Sequence, residues 1–162
     1  MESTETIRME FLRHTLATIA YRGGKVLRGA PTGFSDFRIA ATSRTPGEIL
    51  AHLCDLFDWT VCLCDGRHVW KDSRPQEWNE DVDRFFRLLA RIDERLASGL
   101  QLGSPAEGLL QGPFADALTH IGQIAFLRRV AGVPIRGENY FKADIHAGSV
   151  GLAQSPPRKE FD

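Results

Sequence analysis

Residues 112–132 read GPFADALTHIGQIAFLRRVAG, and this stretch decides the fold because it places polar groups on a helix that is otherwise apolar. At about 100° per residue, the step from Asp116 to His120 advances about 40° and the step from His120 to Gln123 retreats about 60°, so the three polar side chains stack on one face. A carboxylate and an imidazole four residues apart, turned toward a bundle core, can either hydrogen-bond each other or chelate a metal ion. Gly112-Pro113 reads as the start of this helix and the run ends near residue 131.

Three further helices precede it. Residues 4–27 carry Ile7, Phe11, Leu12, Leu16, Ile19 and Ala20 at helical spacing, with Gly23-Gly24 expected to fray or end the element. The second helix has the clearest start in the chain: Thr45 as N-cap, Pro46 in the first helical position and Glu48 three residues after the cap, a potential capping box. It runs to about residues 65–66 on a stripe of Ile49, Leu53, Leu56, Phe57, Thr60 and Leu63, and His52 sits beside that stripe, partly inward. The third, residues 75–98, repeats Trp78, Val82, Phe85, Leu89, Ile92 and Leu96 in a clean helical period. Four helices of some 20 residues predict an all-α four-helix bundle filling residues 1–162 as one domain. Long connections at 28–44, 66–76 and 99–113 link the helices, and an irregular tail over about 133–162 follows them. Phe34 and Phe37 are candidates to anchor the first connection on the end of the bundle.

Composition excludes several function classes. With 43% hydrophobic and 25% charged residues, a formal net charge of −1 and a pI near 6.5, the chain has no basic excess of the kind that marks nucleic-acid binding. No apolar run approaches the ~20 residues that span a bilayer, and the N-terminus lacks a basic segment followed by an apolar one, so a cytoplasmic location without membrane partners is expected. Cys54, Cys62 and Cys64 are odd in number and fall within one helix, which predicts reduced packing thiols.

The patterns TPGEILAHLCDLFDW (residues 45–59) and DALTHIGQIAFLRRVAG (residues 116–132) together resemble the DinB-like superfamily, the YfiT-type metal-binding bundles that include bacillithiol and mycothiol S-transferases. The resemblance covers most of the chain. It implies a metal held by one histidine of the second helix, matched by His52 in the E-x-x-x-H context from Glu48, and by two histidines four apart on the last helix. The second of that pair matches His120, in the run His120, Ile121, Gly122 and Gln123, whereas the first falls on Asp116. Aspartate can replace histidine, giving two imidazoles and a carboxylate suited to Zn²⁺, Ni²⁺, Mn²⁺ or Fe²⁺, or it can mark a lineage that lost the metal and kept the fold. The exchange lowers the site's charge by one, which makes a bound water or thiol less acidic.

By that resemblance the chain is expected to be an enzyme that transfers a low-molecular-weight thiol, as cosubstrate, onto a small electrophilic molecule, with metal-dependent hydrolysis as the nearer variant and a homodimer as the assembly. A non-catalytic bundle that binds a small ligand or serves as a stress-related partner is the alternative. Gln123 and Tyr140 are candidate substrate contacts, the latter through the Glu138-Asn139-Tyr140 run if that run lies over the metal end. Arg128 and Arg129 suit a helix C-terminus, or else an anion pocket, and His146 is either a solvated side chain or a fourth ligand.

Overall fold

The structure is a computed structural model that describes residues 3–161. Its helices are α1 (Thr4–Leu27), α2 (Pro46–Cys64), α3 (Trp78–Ala97), the single turn α4 (Ala106–Leu109) and α5 (Ala115–Val130), with a π turn at Leu110–Phe114 joining the last two. Helices α1 and α2 each pack on both α3 and α5, so the four long helices stand at the corners of a square with α1 diagonal to α2. The fold is therefore all-α, and no described helix is long and apolar enough to cross a membrane.

The stripes read from the sequence face inward. Ile49, Leu53, Phe57, Phe85, Leu89, Ile92 and Ile124 lie in the core, where the rings of Phe57 and Phe85 meet edge to face at 5.4 Å. At the start of α1 the pattern departs from this, since Ile7 and Phe11 are exposed. Helix α1 also passes unbroken through Gly23-Gly24. A side chain at Gly23 would place its Cβ 2.8 Å from Phe85 Cζ, so this glycine is a packing notch for a core ring instead of a stop signal.

A second difference lies before α5. Helix starts at Ala106, not at Gly112-Pro113, because burial of Leu109 and Phe114 draws the preceding turn into the bundle. Pro113 has no N–H to donate, and the chain widens around it so that the Ala115 N–H reaches the Leu110 carbonyl. The π turn thereby sets the rotational phase in which α5 presents its polar face.

The connections are held by particular side chains. Phe34 is buried, stacked on Phe37 and edge-on to Trp78 at 5.7 Å. Buried Asp55 accepts the Ser73 N–H and hydroxyl, both at 2.7 Å, and an Arg84 N–H at 2.9 Å, pinning the segment between α2 and α3. The tail forms a two-residue ribbon, β1 (Gly137–Glu138) against β2 (Glu160–Phe161). Buried Glu138 ties this ribbon to α1 by accepting from Tyr21 Oη at 2.6 Å and Lys25 Nζ at 2.7 Å.

Arg128 is buried, and its guanidinium donates to the carbonyls of Val26, Arg28, Gly29 and Val133. It closes the C-terminal ends of α1 and α5, as the capping reading anticipates.

Candidate metal centre

Helix α2 begins firmly: Thr45 Oγ1 accepts the Glu48 N–H at 3.2 Å while the Glu48 carboxylate accepts the Thr45 N–H at 2.7 Å. About two turns later α2 delivers His52 to its seam with α5. From the other side, the first turns of α5 supply Asp116 and His120. The three residues meet. His52 Nε2 lies 3.8 Å from one oxygen of Asp116 and His120 Nε2 lies 3.5 Å from the other, and one ligand atom from each residue falls within 4.8 Å of the rest. The two imidazole rings stand edge to face with centroids 4.6 Å apart.

These separations exceed the roughly 2.7–3.2 Å of a good hydrogen bond, so the three groups converge without satisfying one another. Ligands about 2.0–2.1 Å from a tetrahedral ion stand about 3.3–3.4 Å apart; the 3.5 Å between His120 and Asp116 is already near that spacing, whereas the set as a whole spans up to 4.8 Å and has to draw together to reach it. Donor chemistry and geometry both fit a divalent metal. The imidazoles of His52 and His120 are recessed, 21% and 13% exposed, whereas the Asp116 carboxylate is 47% exposed and forms the wet edge of the site.

A neutral His52 favours ligation. Partial burial, then the neighbouring His120 and Arg44, hold the His52 pKa below the ordinary histidine value, with Asp116 and Asp55 pulling more weakly the other way. At His120, Nδ1 lies 2.8 Å from Gln123 Oε1. An amide oxygen only accepts, so Nδ1 is the donor, and in the neutral ring Nε2 keeps its lone pair toward Asp116. Gln123, a candidate substrate contact by sequence, therefore orients the His120 ring from the adjacent turn of its own helix.

A tryptophan the sequence reading passed over stands next to the site. Trp70, in the connection after α2, meets His52 edge to face at 5.6 Å and Trp59 at 6.0 Å, and Trp59 in turn faces His68 at 6.2 Å. No helical period marks residues 66–77, so only the density of aromatic residues in RHVW could have pointed there.

Two open clefts flank the triad. One, of about 530 Å³, is lined by His52, His120 and Gln123 together with Arg44, Ile39 and Phe126; the other, of about 440 Å³, by Asp116 with Leu56, Trp59 and Thr119.

Other candidates lie elsewhere. Tyr140 packs edge-on to Tyr21 at 6.3 Å, with the Arg22 guanidinium 4.4 Å from its ring centre, and it lines neither cleft. His146 is exposed and paired with Asp144 at 2.8 Å. Glu48 is engaged by Thr45 and Arg38, and Asp55 by Ser73 and Arg84, so neither is turned to the triad as a base. Cys54 and Cys64 are buried and Cys62 partly so, all three as free thiols.

Comparisons with protein-family models, with curated proteins and with solved structures return no match.

Proposed function

We propose that the chain is a metal-dependent enzyme of the DinB-like superfamily that transfers a low-molecular-weight thiol to a small electrophilic substrate. The observation carrying this reading is the convergence of His52, Asp116 and His120 within 4.8 Å with no hydrogen bond among them. Zn²⁺, Ni²⁺, Mn²⁺ or Fe²⁺ held there supplies Lewis acidity, which lowers the pKa of a thiol or water near it. His52 and His120 contribute neutral nitrogen lone pairs and Asp116 the one anionic donor. Gln123 favours the His120 tautomer with the proton on Nδ1, while Trp70 packs edge to face on His52 and is itself backed by Trp59.

Thiol transfer as the reaction class rests on the resemblance of residues 45–59 and 116–132 to that superfamily, with hydrolysis as the variant. A cytoplasmic homodimer belongs to the same proposal. The exposed Ile7 and Phe11 of α1, beside Leu110, offer an apolar face for pairing, which size-exclusion chromatography with light scattering tests.

Zinc-loaded protein incubated with monochlorobimane and a panel of low-molecular-weight thiols tests the activity. Conjugate formation that needs metal and disappears in His52→Ala supports the proposal. Protein that takes up no metal and is indifferent to chelator supports the non-catalytic bundle.

A further inference from the structure

The cleft on the His52 and His120 side of the triad carries a charge pattern that a metal ion held by the triad would not explain. Arg44 lines it from the residue before the α2 N-cap, is exposed, and makes no hydrogen bond or ion pair among the described residues. Its neighbour on the same connection behaves differently: Arg38 is committed to Glu48 and to the Ser43 carbonyl. No acidic residue lines this cleft: Glu48 is held by Thr45 and Arg38, and Asp116, although 3.5 and 3.8 Å from the two imidazoles, lines the other cleft. A guanidinium left unpaired beside two imidazoles and an uncharged wall is complementary to an anion.

The remaining lining gives the shape of that anion. Ile39, Ile49 and Phe126 supply an apolar wall, and about 530 Å³ is ample for a small organic molecule. Gln123 spends its oxygen on His120, and its NH₂ makes no hydrogen bond among the described residues, so it can donate to a ligand. One guanidinium balances one charge, which favours a carboxylate over a phosphate dianion.

We infer that this cleft is the subsite for a small amphiphilic carboxylate, with Arg44 and the Gln123 amide holding the carboxylate and Ile39, Ile49 and Phe126 holding the apolar body. The inference names the substrate class for the site proposed above and rests on that reading for the reaction. The anion subsite itself stands on residues that need no metal.

The test uses two size-matched probes, 4-phenylbutyrate and its neutral amide 4-phenylbutyramide, titrated calorimetrically into chelator-stripped protein. Loss of a charge-assisted pair at a partly hydrated site weakens binding about tenfold. The carboxylate is therefore expected to bind about tenfold more tightly than the amide. Arg44→Gln erases that preference, Arg44→Lys keeps part of it, and Phe126→Ala weakens both probes. Arg44 is exposed and unpaired, so the far-UV circular dichroism and melting temperature of Arg44→Gln should match the parent protein. Equal binding of the two probes, a preference that survives in Arg44→Gln, or no saturable binding of either probe overturns the inference. Repeating the titration after zinc reconstitution separates the two proposals: failure to take up zinc counts against the metal reading, while the carboxylate preference of stripped protein alone decides the subsite.

Discussion

Gln123→Leu removes the acceptor that holds the His120 Nδ1 proton without touching a proposed ligand. In the parent protein Oε1 sits 2.8 Å from Nδ1, which leaves Nε2 as the free lone pair. With leucine there, the ring can protonate on Nε2 or rotate, and part of the population loses its donor. Removing a partner behind a metal-bound histidine typically costs about 10–100-fold in metal affinity. Gln123 is exposed, and water can replace part of the lost bond at Nδ1, so the lower end applies: about tenfold, or about 1.4 kcal/mol. Competition between the protein and a chromophoric chelator for Zn²⁺ measures this directly. Gln123→Glu, which puts an anion behind the ring, should bind zinc at least as tightly as the parent protein. The melting temperature of metal-free Gln123→Leu should be unchanged. Zinc affinity within twofold of the parent in Gln123→Leu would refute the orienting role and the tautomer assigned to His120.

Other expectations follow from the same contacts. Arg128→Met leaves the Val26 carbonyl without its buried donor and three more carbonyls dependent on water, so urea denaturation should show a loss of about 3–5 kcal/mol, and Arg128→Lys a smaller one. The depressed His52 pKa means that the unfolded chain binds more protons at this residue than the fold does. His52 therefore contributes stability that is present above its ordinary pKa of about 6.5 and lost as pH falls through the depressed value. Thermal melts of metal-free protein between about pH 7 and 5 should show a shallower decline in His52→Gln than in the parent. Burial pushes the Cys54 thiol well up and the Cys64 thiol up to about 11, so a thiol reagent at neutral pH should label the partly exposed Cys62 first. Equal labelling of all three in native protein would contradict the packing described for α2.

How much of this was legible in the sequence depended on how local the determining interaction was. The capping box at Thr45 and Glu48 and the α3 stripe from Val82 to Leu96 are set within one helix, and they read directly. The polar face of α5 was legible for the same reason, and the spacing of Asp116, His120 and Gln123 placed them together. Gly23 misled because its role is tertiary: the ring that needs the space, Phe85, is on another helix. The early helical turn at Ala106 was hidden because Gly112-Pro113 looks like a start signal, while burial of Leu109 and Phe114 carries the helix through a π turn instead. At the site, Trp70 and Arg44 come from connections without a period, and only the packing against His52 and the seam with α5 gives them meaning. Tyr140 went to α1 because Glu138 and its partners Tyr21 and Lys25 anchor the tail there, a link between residues more than a hundred positions apart.

The most direct test of the metal centre is the metal content of the native protein and of Asp116→Ala, by elemental mass spectrometry after zinc loading and extensive dialysis. About one metal per chain in the parent, lost in Asp116→Ala and in the His52→Ala, His120→Ala double variant, is the result expected from the converging triad. A parent protein that retains no metal after loading with zinc, nickel, manganese or iron, or a double variant that retains it in full, would contradict the account.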